Sequence, residues 1–590
     1  PSSGAVLPMP DCPFNPAAEN IADLIYRFGS LQSERWNNTS SLCADYVSSD
    51  YIILHMPLTP DAVSMRVHPY YMIPSLFSPL DYNAMEASGI LSAFNSPALN
   101  NQGKGVLIGL VDTGIDYRSP LFQNPDGTTR IAGIWDQSVP IEEDVLPAGV
   151  PDYYPMGGAS YGTEYTREQI NKALASDDPL SLVSTQDTIG HGTFLAGLAA
   201  GSSIPQEDFT GAAPEAELAV VKLKPAKKYL RDFYLIPSDA PAFQENDIMM
   251  GIKYLRMMAD RLKKPLVILL AMGSNSGSHI GTSPLSQVTQ NYSGFFGIIT
   301  VIAGGNETGA AHHFYASIPA GTEYEDVEIR VGKEEAERGF VLELWAADAD
   351  TYTVGFISPS GERISRIPII ANNETSIPFL LDATTITVNY QLIEAESGSQ
   401  LIFMRFQTPA AGIWTVRVYN TQRFKGTFHM WLPVQGMISE ETVFLRPDPY
   451  STITVPGNSR LPITVGAYDT STGGIYIHSS RGFTPNQIVK PELAAPGVNI
   501  LGPSVGRKPG SDTPMTTRTG TSAAAAITAG AAANLLGWGI VEGNYPTMSE
   551  ASVKSYLIRG AQRNPALTYP NREFGYGTLD LFQTFLRLRE

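Results

Sequence analysis

The stretch Arg518-Thr519-Gly520-Thr521-Ser522-Ala523-Ala524-Ala525-Ala526-Ile527-Thr528-Ala529-Gly530 decides how the chain is read. Alanine is the strongest helix former, so the run after Gly520 predicts a helix entered through a tight Gly-Thr-Ser turn. Ser522 then falls in the first turn, beside backbone N–H groups without intrahelical partners and at the positive end of the helix dipole. An attacking hydroxyl would sit there. Taken alone, the segment reads more simply as a buried helix capped by Ser or Thr. What shifts the reading toward chemistry lies elsewhere in the chain.

Working outward, Gly105-Val106-Leu107-Ile108-Gly109-Leu110-Val111 is a continuous apolar run, the mark of a strand covered on both faces. Asp112-Thr113-Gly114-Ile115-Asp116 follows at its C-terminal end, where ligands and catalysis gather in open α/β sheets. Asp112 alone reads equally as a turn former or an acid. His191 stands between Gly190 and Gly192 at the start of a small-residue helix, a setting that the other seven histidines lack. Strands over residues 218–223, 266–273 and 297–307, with a helix over 247–262, predict a parallel α/β sheet. Nucleophilic acyl transfer needs a hydroxyl, an imidazole, an orienting carboxylate and oxyanion donors. Asp112, His191 and Ser522 supply the first three, each at an element's end.

Two regions differ from this pattern. Residues 1–78 predict a small α+β unit, with a short helix over 22–28 and a strand over 51–56. A lead-in helix over 84–90 is expected to end at Gly89. Between 135 and 187 an acidic, Pro- and Gly-rich loop precedes a helix signal at 165–170. From 311 to 448 short alternating strands at 327–331, 340–345, 352–357, 386–390, 401–406, 414–419 and 428–432 predict an all-β sandwich or jelly roll. The α/β pattern resumes at 461–467 and 490–497. The expected division is therefore 1–78, 79–310, 311–448 and 449–590, the second and fourth being parts of one α/β domain.

Composition bounds the function. A chain of 590 residues with 43% hydrophobic content supports a large core in more than one unit. With 40 basic against 58 acidic residues, the net charge of -18 opposes attraction to nucleic acid or anionic lipid. Cys12 and Cys43 can pair with each other but form neither a disulfide framework nor a thiolate metal site. The longest apolar stretch, 523–541, is interrupted by Thr528 and Asn534 and suits a core helix rather than a membrane span. The chain opens at Pro1 without signal-peptide features and reads as trimmed. No Asp-x-Asp-x-Asp-Gly loop is present, so neither metal nor cofactor is expected.

Val111-Asp112-Thr113-Gly114-Ile115-Asp116, Gly190-His191-Gly192-Thr193 and Gly520-Thr521-Ser522 together resemble the three signature segments of the subtilisin-like serine peptidases. The resemblance implies a catalytic triad of Asp112, His191 and Ser522 in that family's order. Ala303-Gly304-Gly305-Asn306 resembles the segment whose Asn completes the oxyanion hole, which implies Asn306. Ala271-Met272-Gly273 resembles the segment that pairs with substrate, and Gly304 and Gly305 join it in substrate binding. The ending 574–580 resembles the family's closing strand. Many subtilases carry Met directly after the nucleophile and Pro four residues after it, where this chain has Ala523 and Ala526.

More narrowly, the chain resembles the clostridial Csp germination proteases, which carry a jelly-roll insertion and a prodomain. These likenesses imply a secreted or spore-associated, monomeric endopeptidase acting on polypeptides. They also imply self-processing near residues 74–82, with the N-terminal unit as a partner in cis. Substrate is expected to lie against Ala271-Met272-Gly273 and an edge near 223–228. The Csp group includes pseudoproteases, so the alternative is a catalytically silent regulator or binding protein.

Overall fold

Leu107–Asp112, Leu266–Leu270 and Ile298–Ala303 are buried at every position, as strands covered on both faces must be. The computed structural model describes residues 14–27, 43–48, 50–59, 63–79, 87–96, 99, 101–140, 161–204, 209–347, 350–370, 374–422, 424–506 and 513–588. In it these three strands form the middle of an eight-stranded sheet. In chain order the strands are β1 (Leu107–Asp112), β2 (Ile131–Asp136), β3 (Thr163–Thr166), β4 (Glu217–Lys222), β5 (Leu266–Leu270), β6 (Ile298–Ala303), β7 (Ile463–Tyr468) and β8 (Leu493–Pro496). Across the sheet they run β8-β7-β6-β5-β1-β4-β2-β3, parallel throughout except for the β2–β3 pair at one edge.

Four helices position the site: α1 (His191–Ala200), α2 (Glu245–Leu262), α3 (Pro284–Ser293) and α4 (Thr521–Leu536). Side-chain alternation along the strands divides the core between them. Ile108, Leu110, Val267, Leu269 and Val301 join the α1 and α4 side, whereas Leu107, Val111, Ile268, Leu270 and Ile302 join the α2 and α3 side. All sixteen residues of α4 are buried. Its small residues permit close approach: a Cβ at Gly530 would lie 2.4 Å from that of Ala212. Residues Thr521–Val541 are long and apolar enough to cross a membrane, but 83% of the segment's apolar 18-residue window is inside the protein, so the segment is the fold's central helix.

Residues between β6 and β7 build two antiparallel sheets, of six and five strands, that share one core. Trp414 is fully buried between them, edge-on to Phe379 at 5.0 Å and to Phe406 at 5.7 Å. Each of the seven strands expected here overlaps an observed one. His313–Ile318, Glu374–Phe379, Arg363–Ile364 and Val443–Phe444 are additional, and all lie at sheet edges. The edge position of Glu374–Phe379 tolerates Pro378, whose presence argues against a strand in sequence. A separate apolar cluster, including Tyr70, Phe233, Trp345, Phe403 and Trp431, fastens this sandwich to both the α/β body and the N-terminal segment.

Three expectations need correction. Residues 22–28 do not form a helix: Ile21–Arg27 is a strand in a three-stranded antiparallel sheet with Tyr51–Pro57 and Cys43–Tyr46. Successive residues are buried on opposite sides, Ala22 in one cluster and Ile25 in another, and pairing along Tyr51–Pro57 overrides the helical propensity of the segment. Of the helix expected over 84–90, residues up to 86 lie outside the described residues. Gly89 precedes a helix, Ile90–Phe94, rather than ending one. It has φ +69°, and a Cβ there would lie 2.3 Å from Asp580 Oδ1. The ending 574–580 makes isolated bridges to Leu493 and Ala494, and no regular strand. Cys43 is disulfide-bonded, and Cys12 lies outside the described residues.

The N-terminal sheet is joined to the body through buried charge. His55 lies between Asp23 (Nδ1 to Oδ1, 2.8 Å) and Asp45 (Nε2 to Oδ2, 3.2 Å), while Lys227 of the body reaches Asp23 Oδ2 at 2.8 Å. Burial disfavours the imidazolium, yet hydrogen bonds to Asp23 and Asp45 outweigh it and raise the His55 pKa from 6.5 to about 9. A raised His pKa stabilises the fold fully below 6.5, and the contribution is lost as pH rises through about 9. Hydrogen exchange in Ile21–Arg27 and Tyr51–Pro57, corrected for intrinsic rates, is therefore expected to accelerate across that interval. His55→Gln should remove the pH-dependent part. Equal pH dependence in both proteins would contradict the assignment.

Candidate active site

Asp112 ends β1 at the C-terminal edge of the sheet, and its carboxylate is buried. Asp112 Oδ1 accepts the N–H of Thr113 at 2.8 Å and lies 2.7 Å from His191 Nδ1. His191 opens α1 directly after Gly190, whose φ of +81° turns the chain into the helix. Gly192 has no room for a side chain: a Cβ would sit 2.1 Å from Gly114 O. The first turn of α1 thus rests on the Asp112–Gly114 backbone, which brings imidazole and carboxylate together. On its other side, His191 Nε2 lies 3.3 Å from Ser522 Oγ, the second residue of α4.

The start of α4 is tied to the segment after β6. Thr521 Oγ1 accepts the N–H of Gly305 at 3.1 Å, and Thr521 N–H donates to Asn306 Oδ1 at 3.1 Å. With its oxygen so engaged, the Asn306 amide keeps its NH₂ as a donor beside the first turn of α4. Gly304 takes part through its backbone, donating to Val465 O and accepting from Thr454 N. Gly305 has φ +105°, and a Cβ there would lie 2.6 Å from Thr454 Cγ2.

Asp187 escaped the sequence reading. Its Oδ1 accepts Thr113 Oγ1 at 2.9 Å and the N–H of Gly190 at 2.7 Å. Its Oδ2 accepts both the N–H (2.9 Å) and the hydroxyl (2.8 Å) of Thr193. Thr113 Oγ1 in turn accepts the N–H of Gly192 at 2.9 Å. One buried carboxylate therefore links the turn after β1 to the start of α1. An Asp just ahead of a helix start is the available sequence signal, since it can satisfy unpaired first-turn donors.

Met272–Gly273 pairs antiparallel with Leu76–Pro79, Gly273 opposite Ser78 and Met272 opposite Pro79. Ala271, which joins this edge to β5, is fully buried. The far side of Leu76–Pro79 pairs with Phe243–Gln244, just before α2, whereas the sequence reading puts the second edge for substrate near 223–228. The backbone of that expected edge is spent inside the fold: Leu223 N–H goes to Asp112 O, Ala226 N–H to Ala242 O and Lys227 N–H to Gln244 Oε1. A short strand from the chain's own N-terminal part thus lies between the two edges.

An ionised carboxylate only accepts hydrogen bonds, so His191 donates from Nδ1 to Asp112 and presents the Nε2 lone pair to Ser522. This arrangement can draw the hydroxyl proton onto Nε2 while Nδ1–H keeps the ring oriented. Negative charge developing nearby would meet the first-turn N–H groups of α4 and its positive dipole end.

The sequence profile of the subtilase family matches residues 103–357 and 446–577. Among curated proteins, the chain is similar to subtilisin-like protease SBT3.12 of Arabidopsis thaliana, 24% identical over 485 residues and covering 80% of this chain and 59% of that protein. It is 23% identical over 545 residues to subtilisin-like protease SBT3.5 of the same plant, covering 86% of this chain and 64% of that one. The match thus spans less than two thirds of either plant protein's length. Among solved structures, the CspB protease of Clostridium perfringens aligns with a TM-score of 0.73 at 30% identity, covering 86% of this chain and 97% of that one.

Because α1 rests on Gly114 O only when residue 192 has no side chain, Gly192→Ala is expected to push His191 away from Asp112. A misplacement on the order of 1 Å costs about 100-fold in rate. Phosphonylation of Ser522 by a fluorophosphonate should slow by about that factor in Gly192→Ala. A wild-type rate would show that the contact does not set the His191 position.

Proposed function

Because the chain belongs to the subtilase family and has its fold, we propose that it is a serine endopeptidase acting on polypeptides through Asp112, His191 and Ser522. The observation that carries this reading is the His191 imidazole spanning a buried carboxylate at 2.7 Å and the α4 hydroxyl at 3.3 Å. Ser522 attacks a peptide carbonyl, His191 takes its proton and returns it to the leaving amine, and Asp112 holds the tautomer and offsets the imidazolium charge. Asn306 and the Ser522 N–H hold the oxyanion. Substrate lies extended on Ala271, Met272 and Gly273, with Gly304 and Gly305 behind the reacting carbonyl.

The position of Leu76–Pro79 between the two strand edges supports a second part of the reading. The unit formed by residues 1–78 is a prodomain that delivers its own C-terminal strand to the cleft, and the chain cuts itself near residues 74–82, of which 80–82 lie outside the described residues. The catalytic domain comprises 79–310 and 449–590, and the inserted 311–448 sandwich stiffens the fold or narrows access to the cleft. We place the protein outside the cell or with the spore, as a monomer. The disulfide at Cys43 supports an oxidising compartment.

A fluorophosphonate probe is expected to label the wild-type chain and not Ser522→Ala, with two fragments replacing one chain in the wild type alone. An intact wild-type chain without label would contradict the peptidase reading and favour a silent regulator. Asn306→Ala removes one oxyanion donor, which costs about 3 kcal/mol in a subtilisin, so turnover should drop at least about 100-fold with binding little changed. Unaltered turnover would remove Asn306 from the oxyanion site.

A further inference from the structure

The mechanism leaves one buried carboxylate at the cleft unused. Glu245, the first residue of α2, is 1% exposed and stands at the end of the Leu76–Pro79 strand farthest from Ser522 along the chain. Its Oε2 accepts the N–H of Ser75 at 3.1 Å, its Oε1 accepts the N–H of Leu285 at 3.0 Å, and its own N–H donates to Ser75 O at 2.9 Å. The Ser75 main chain is therefore gripped at both its N–H and its carbonyl. Beside this grip, a small cavity lined by Tyr70, Ser75, Glu245, Ser283 and Trp345 leaves space around the residue. The main chain is held tightly here, and Ser75 itself is buried.

Resting on the peptidase reading of the cleft, we infer that Glu245 is a specificity-determining residue that reads substrate length: its carboxylate anchors the main-chain N–H of the residue in the Ser75 position, four residues before the Pro79 position. It requires a peptide that extends that far toward its N-terminus. Burial pushes the Glu245 carboxyl from 4.5 up to about 7, so the anchor is strongest above that pH, where a hydrogen bond to the ionised group contributes about tenfold or more in binding. The pairing of Leu285 with the other carboxylate oxygen fixes the group in place, so the anchor is ready before the strand arrives.

Two measurements on the full chain test this. In the Ser522→Ala background, where the N-terminal part stays uncut, adding Glu245→Ala should raise hydrogen exchange at Ser75, Leu76 and Phe77 about tenfold and leave Ile21–Arg27 unchanged. No change, or an equal rise everywhere, would overturn the anchor. For hydrolysis in trans, peptides carry alanine or N-methylalanine in the Ser75 position, which differ at that N–H. The wild type should show a KM about tenfold higher for the methylated peptide at the same kcat, and Glu245→Ala should not discriminate. An equal ratio in both proteins would overturn the length reading. If no peptide is cut and Ser522 takes no fluorophosphonate, the peptidase reading fails instead, and the exchange result alone decides whether Glu245 anchors the strand.

Discussion

The hydrogen bond between Asp112 and His191, closed to solvent at the C-terminal edge of the central sheet, is the contact on which the rest of the site depends. Both partners belong to elements that cannot shift independently. Asp112 ends a strand buried on both faces, and His191 begins a helix buried along its whole length. The glycine at 192 allows the two backbones to touch, and Asp187 ties them with four close hydrogen bonds. A buried carboxylate is costly unless it is paired and hydrogen-bonded, and here every buried oxygen of Asp187 is used. The imidazole is thus oriented by the fold itself.

The second organising feature is the short strand Leu76–Pro79. It completes a three-stranded arrangement whose outer strands are two residues each, Phe243–Gln244 and Met272–Gly273. Strands so short hold little by their ladder alone, and side-chain contacts reinforce this one: Phe77 is fully buried in the cluster that also holds Phe243 and Met272. The N-terminal sheet reaches the same body through Asp23, His55 and Lys227, and the sandwich through Phe233 stacked on Phe403 at 5.5 Å. Three parts of the chain therefore meet at the α/β body, each by a different kind of contact.

The α/β pattern and the three short segments around Asp112, His191 and Ser522 were legible because each chemical residue sits where an apolar run meets a turn. Long, strictly patterned strands such as Thr384–Gln391 and Gly412–Asn420 were legible for the same reason. What escaped depends on partners distant in sequence. The strand Ile21–Arg27 looks helical until Tyr51–Pro57 pairs with it. Phe243–Gln244, at two residues, is too short to carry a period that marks it as a strand. Asp187 and Glu245 act through backbone N–H groups that come near only in the fold, which no spacing in the sequence records.

The central claim is that His191 carries its proton on Nδ1 toward Asp112 and turns an unprotonated Nε2 toward Ser522. Nitrogen NMR of the full chain with isotopically labelled histidine, and His191→Gln to assign the signal, reports this tautomer directly. The account predicts a protonated, strongly hydrogen-bonded Nδ1 and an unprotonated Nε2 at neutral pH. A proton on Nε2 in the neutral ring, or an Nδ1–H without a hydrogen bond, would mean that the pair is not oriented for catalysis and would contradict it.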